Sequence, residues 1–216
     1  MGMIGTRGGD PMITMESLVS TPKEVVAEIS ETLTADDISQ LVEWLALEDD
    51  NVRYKALLLL QCRSTYSADV YPYWDVLRAK LKHSNSYQRS IGLMLMADNS
   101  RWDSSGKMEA SLDDYLGCLH DDKPITVRQG IQGLGTIALY QPDLGPRIAE
   151  RLMAFNVMGQ RETMRKSILL DILNVLMVIR TNSESDKIEA YIQSALSGDV
   201  LDKKAKKQIQ AQLGKG

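Results

Sequence analysis

The chain has 216 residues, 44% of them hydrophobic and 25% charged, with a formal net charge of −4 at pH 7. That composition belongs to a folded protein with ample core and argues against a general nucleic-acid binder, which needs a basic excess or a basic face. No run approaches the roughly 18 apolar residues of a membrane span, and two cysteines, Cys62 and Cys118, each inside an apolar pattern, point to reduced, buried thiols in a cytoplasmic protein.

Residues 1–19 read as a flexible leader. Gly2, Gly5, Gly8, Gly9 and Pro11 break any pattern, no signal-peptide core is present, and Met12 and Met15 are alternative starts. Helical structure is predicted from Thr21-Pro22-Lys23-Glu24, with Thr21 as N-cap, Pro22 in the first turn and Glu24 three residues after the cap. Val25, Val26, Ile29 and Leu33 form its apolar face. Thr34-Ala35-Asp36-Asp37 opens a second helix, with Ile38, Leu41, Val42, Leu45 and Trp44 facing inward.

A repeating unit follows. An amphipathic helix leads through a polar turn into a more apolar helix that carries an arginine near its start. The arginines are Arg53, Arg89, Arg128 and Arg165, spaced 36, 39 and 37 residues apart. Such a period, with two helices in each, predicts an all-α solenoid. The helix pairs are 35–47 with VRYKALLLLQC, DVYPYWDVLRAKL with YQRSIGLMLMA, SLDDYLGCL with VRQGIQGLGTIALY, and PRIAERLMAFN with MRKSILLDILNVLMVI. A degenerate fifth pair joins KIEAYIQSAL to KAKKQIQAQL. Residues 20–216 are thus expected to form one repeat domain. The apolar second helices should be inner helices, flanked by their partner and by neighbouring repeats. Gly130, Gly133 and Gly135 disfavour a helix, and their expected use is to admit a close neighbour. The Val-rich run 175–179 continues a helical pattern, so no strand is expected.

At its turn-plus-arginine units, DDNVRYKA, DKPITVRQGI, SNSYQRSIG and QRETMRKSI, the chain resembles HEAT-type repeat proteins. Gln88 and Met164 replace the usual valine in the last two. The resemblance covers about residues 35–210. It implies a right-handed α-α superhelix with the second helices lining a concave surface. It also implies a structural role for Arg53, Arg89, Arg128 and Arg165, each pairing with turn acids of its own or the preceding repeat. Asp49, Asp50, Asp121 and Asp122 are the candidate partners.

Candidate chemistry is sparse. Cys118 and His120 lie two apart beside Asp121 and Asp122, short of the four N/S ligands of structural zinc, so no metal and no cofactor is expected. Asp113 and Asp114 point about 100° apart on a helix and do not converge. The enzyme alternative is a DNA alkylation-repair glycosylase, which is also built from HEAT-like pairs. Trp44, Trp74, Trp102 and Asp103 would carry it, but the acidic chain offers few bases on its inner helices, and Trp74 is expected between outer helices.

The leading reading is a non-catalytic scaffold that binds a protein or peptide. The solvent-facing stripe of the inner helices should fall at offsets 1, 5, 8 and 12 from each arginine. It reads Tyr54, Leu58, Gln61, Thr65; Ser90, Met94, Ala97, Arg101; Gln129, Gly133, Thr136, Tyr140; Lys166, Leu170, Leu173, Met177. The binding candidates drawn from it are Tyr54, Gln61, Thr65, Met94, Arg101, Gln129, Thr136, Tyr140 and Lys166. A third reading is self-association. Residues 24–50 hold nine acids and no base, while the last segment carries Lys203, Lys204, Lys206, Lys207 and Lys215 against Asp202. Ends of opposite sign attract at low salt.

Overall fold

The computed structural model describes residues 13–182 and 185–214. The described residues form twelve α-helices joined by turns and short 3-10 segments, with no strand. By internal contacts the chain divides into two compact units, one ending at Val70 and one beginning at Tyr71.

In the first unit, α1 (Met15–Ser20), α2 (Val26–Thr32) and α3 (Ala35–Trp44) all pack on α4 (Asp50–Ser64). Most of the expected leader lies outside the described residues, but its last part is α1. Thr14 and Ser17 cap this helix reciprocally, and Leu18 is fully buried. A six-residue helix is marginal alone; the burial of Leu18 and the cap hold it. Thr21 does not cap α2, because its hydroxyl turns back to donate to the Ser17 carbonyl at 2.8 Å and closes α1 instead. Pro22 then starts a 3-10 turn, Lys23–Val25, ahead of α2. α3 starts where expected, just after Thr34. Thr34 and Asp37 form a capping box, with the Asp37 amide donating to the Thr34 hydroxyl at 3.2 Å and the Thr34 amide donating to Asp37 Oδ2 at 2.9 Å. Ile38, Leu41, Val42, Trp44 and Leu45 are buried.

The second unit holds four helix pairs. Its inner helices are α6 (Ser86–Asn99), α8 (Pro124–Tyr140), α10 (Glu162–Arg180) and α12 (Lys203–Leu213). Its outer helices are α5 (Trp74–Lys80), α7 (Lys107–Gly117), α9 (Gly145–Met153) and α11 (Asp186–Ser197). The inner row packs side by side, α6 on α8 and α8 on α10, while α5 and α9 lie against α6 and α10. Asn85, Ser185 and Asp202 cap α6, α11 and α12. The predicted helix 69–81 begins only at Trp74, because Pro72 cannot donate to a helical ladder and sits in a 3-10 turn.

Trp74 is buried between outer helices, its indole N–H donating to Ser111 on α7 at 3.1 Å. The adjacent acids of α7 diverge as their spacing requires. Asp114 accepts from Arg78 Nε at 2.8 Å and meets Lys82 at 2.9 Å, whereas Asp113 pairs with Arg147 of α9.

The glycines of α8 admit neighbours. Tyr115 is fully buried, and its hydroxyl is directed at the carbonyls of Leu93 (3.3 Å) and Gly130 (3.4 Å). A Cβ at Gly133 would stand 2.1 Å from that hydroxyl and 3.0 Å from the Ala97 Cβ. One at Gly130 would lie 3.3 Å from Leu119. Gly133→Ala should therefore destabilise the protein by about 1–3 kcal/mol through overpacking, despite the better helix propensity of alanine. In a Tyr115→Phe background the same change should cost markedly less. A double-mutant cycle in thermal denaturation measures the difference; equal costs in both backgrounds would exclude the steric account.

Candidate functional site

Three of the four repeat arginines tie turns to helices; Arg128 is the exception. Arg53 is buried, donates to the Leu47 carbonyl at 2.8 Å and pairs with Asp50 of its own turn. Asp49 instead caps α4, accepting from the amides of Asn51 and Val52. Arg89 reaches forward to the turn of the following repeat, opposite to the expected direction. It donates to Asp121 Oδ1 at 2.9 Å and meets Asp122 at 3.4 Å, while its other amino group holds the carbonyls of His83 and Ser84 at 2.8 Å.

With both aspartates taken by Arg89, and no acid in the turn VMGQR that follows, Arg128 has no turn partner. It grips Asp171 in the middle of α10 with two bonds, at 2.6 and 3.2 Å. The pair raises the Arg128 pKa, and Gln132 adds a bond to Asp171 at 3.0 Å. Arg165 donates to the carbonyl of Gln160 at 3.0 Å.

Every one of the nine binding candidates reaches solvent, wholly or in part. Tyr54, Gln61 and Thr65 lie on or at the end of α4 in the first unit. In the second unit, Met94 is half-buried on α6, Gln129 and Thr136 are half-buried on α8, and Lys166 is exposed on α10, pairing with Asp202. Arg101 and Tyr140 come together at the ends of α6 and α8: the guanidinium stacks 4.5 Å from the ring centroid and donates to the hydroxyl. Gln129 Oε1 is buried without a hydrogen-bond partner.

The expected stripe is displaced in places. Ser90, Ala97 and Leu173 are buried, and the residues one step on from Ala97 and Leu173, Asp98 and Asn174, are the ones that reach solvent. A helix turns 100° per residue, so a shift of one position moves a side chain from the surface to the flank.

Between α8 and α10 the shift opens a groove of about 320 Å³, lined by Gln132, Gly135, Thr136, Leu139, Asp171, Asn174, Val175 and Val178. Of these only Thr136 stands among the sequence candidates. Leu139 is 56% exposed, and Gln132 and Asn174 are exposed amides. The groove therefore combines an aliphatic end with a polar end, and its one carboxylate is already matched by Arg128. Leu139 looks like a core position in sequence, and only its place beyond the packed flank of α8 marks it otherwise.

Neither enzyme-like feature assembles a site. Trp44 and Trp74 are buried, and Trp102 is half-buried beside Arg101. Asp103 accepts from the Tyr71 hydroxyl at 2.6 Å and from the amides of Ser105, Lys107 and Met108. Burial works against its charge, but these donors outweigh it and hold the pKa below the usual carboxylate range. Its role is to fasten the start of α7. Burial raises the Cys118 thiol to about 11, which makes it a poor nucleophile at neutral pH. His120 is exposed beside Arg151. Among the described residues no group of three or more His, Cys, Asp or Glu side chains is arranged to hold a metal, and no helix is long and apolar enough to cross a membrane.

No family model and no curated protein matches the chain by sequence. Solved structures do match. A designed armadillo repeat protein in complex with the peptide (KR)4 aligns over 93% of this chain and 89% of its own, with a TM-score of 0.63 at 12% identity. The fold is an armadillo-type helical repeat. Two engineered proteins align similarly, with TM-scores of 0.53 and 0.57 at 16% identity, over 94% of this chain in each case and over 96% and 98% of their own.

Arg128→Ala should lower stability by about 2 kcal/mol, because Asp171 is left largely buried without its cation. Arg128→Met combined with Asp171→Leu should recover much of that loss in thermal denaturation; no recovery would mean that the pair is not the relevant unit. Stability should also depend on acid in a defined sense. Burial opposes the charge of Asp121 too, yet the Arg89 guanidinium and the Lys123 amide depress its pKa, as the donors around Asp103 depress that of Asp103. Their contributions are complete above the unfolded carboxylate pKa of about 3.9 and are lost as pH falls through the lower native values. The melting temperature should thus fall from about pH 5 downward, and Asp103→Asn should flatten part of that fall.

Proposed function

We propose that the chain is a non-catalytic scaffold that binds an extended peptide segment of a partner protein along the exposed side of α6, α8 and α10. The observation that carries this is the α8–α10 groove, in which exposed amides at Gln132 and Asn174 adjoin the aliphatic Leu139, Val175 and Val178. A peptide needs both kinds of surface: amides for its main chain and an apolar pocket for a side chain. Binding of the (KR)4 peptide by the designed armadillo repeat protein supports the use of this fold for peptides. The groove here presents one carboxylate already engaged by Arg128, so it favours an uncharged segment with an aliphatic side chain over a strongly basic one.

The test is selection of a phage-displayed random peptide library on the wild-type protein. Selected peptides should bind Leu139→Arg and Asn174→Arg variants at least about tenfold more weakly, with melting temperatures unchanged. Peptides that bind wild type and both variants equally would place the site elsewhere. Their enrichment in Lys and Arg would contradict the preference for an uncharged segment.

A further inference from the structure

Charge is unevenly settled in this protein. Through the repeats, cations and anions pair between helices: Arg78 with Asp114, Arg89 with Asp121, Arg128 with Asp171, Arg147 with Asp113, Arg180 with Glu189. Two surfaces carry several exposed charges of one sign together.

On α12, Ala205 and Ile209 face inward, and the opposite side carries exposed Lys203, Lys204 and Lys207, with Gln208 and Gln210 beside them. None of these three ammonium groups forms an ion pair among the described residues. In the first unit, Glu24, Glu28 and Glu31 recur at intervals of four and three residues through the 3-10 turn and α2, and all are exposed. That spacing places them in one stripe. Asp36 and Glu43 on α3 and Glu48 just after it are exposed as well, and none of the six carboxylates forms an ion pair among the described residues.

Each stripe repels itself, since like charges one helical turn apart oppose the helix that bears them. The two are opposite in sign and similar in length, each about 6–10 Å at 1.5 Å per residue. A surface that satisfies one is therefore encoded in the same chain as the other.

We propose that the lysine face of α12 docks on the acidic Glu24, Glu28 and Glu31 stripe, through the 3-10 turn and α2, of a second copy of this chain. The contact is heterologous, so it builds either a closed ring or an open chain of copies, according to whether the rotation closes. It is held by ion pairs at a solvated surface, so it is strong at low ionic strength and screened at high.

Charge exchange tests it. Sedimentation velocity of the wild-type protein at about 20 mM salt should show mass rising with concentration, and at about 500 mM salt a single-chain species. A variant with Lys203→Glu, Lys204→Glu and Lys207→Glu should stay single at both salts. So should a second with Glu24→Lys, Glu28→Lys and Glu31→Lys. Mixed in equal amounts at low salt, the two should associate again, because the reversed stripe of one complements that of the other. All the substituted positions are exposed, and circular dichroism melts check that both variants fold; the neutral Lys203→Gln, Lys204→Gln, Lys207→Gln variant supplies a milder second probe and should also lose association. A wild-type protein that remains single at low salt overturns the proposal. So does association that survives in the variants, or a mixture that fails to recover it.

Discussion

Close packing of α8 between α6 and α10 is the constraint on which the second unit depends. A helix flanked on both sides must be apolar on two faces and must allow its neighbours near. Ile131, Leu134, Ile137 and Ala138 supply the apolar flanks. Gly130 and Gly133 supply the approach, and the space they leave is filled by Leu119 and by the Tyr115 hydroxyl from the partner helix. The tyrosine reaches the inner layer only because alanine is absent at 133. What remains of the helix surface is a strip of a few side chains, so the packing that makes the core also decides which residues meet solvent.

The arginines answer a different need. Each inner helix begins after a polar turn whose carbonyls and carboxylates would otherwise be only partly satisfied, and a planar guanidinium can hold several of them at once. Arg53 and Arg89 do this within the turns. Arg128 cannot, because the nearby aspartates serve Arg89, and it binds Asp171 instead. That substitution has a consequence for the surface. It places a largely buried carboxylate in the lining of the α8–α10 groove beside a cation, so the groove is polar without being strongly ionic.

Much of this was legible in the sequence, and the failures have identifiable causes. A four-times-recurring arginine with paired helical patterns fixed the repeat, and each predicted helix pair is present. The Thr34 cap and the inward face of α3 followed from local rules, and the role of the α8 glycines followed from their cost to a helix. Thr21 misled because the hydroxyl that suits an N-cap equally suits the end of the preceding helix, and α1 was hidden in a segment that reads as leader. The arginine partners were missed in direction because a side chain of that length reaches the next repeat, which local spacing does not encode. At the candidate site, the nine candidates reach solvent in whole or in part, but Ser90, Ala97 and Leu173 of the projected stripe are buried. Leu139, Asn174 and Gln132 each lie one position from the projected line, and a single residue is 100° of rotation. Which flank of an inner helix is covered depends on the neighbouring helix, and a one-chain periodicity holds no record of that neighbour.

The two kinds of surface left open by this packing differ in what they can recognise. Along α6, α8 and α10 most charges are matched within the repeats, so a partner seated there would be selected by shape, amides and aliphatic contact, which act at short range and resist salt. The exposed lysines of α12 and glutamates of α2 form no ion pair among the described residues, so recognition there would be long-ranged but screened. A partner seated on the inner helices would stay bound at ionic strengths that dissolve contacts between copies. Binding and assembly would then respond to different conditions, the first to shape and amide pairing and the second to ionic strength.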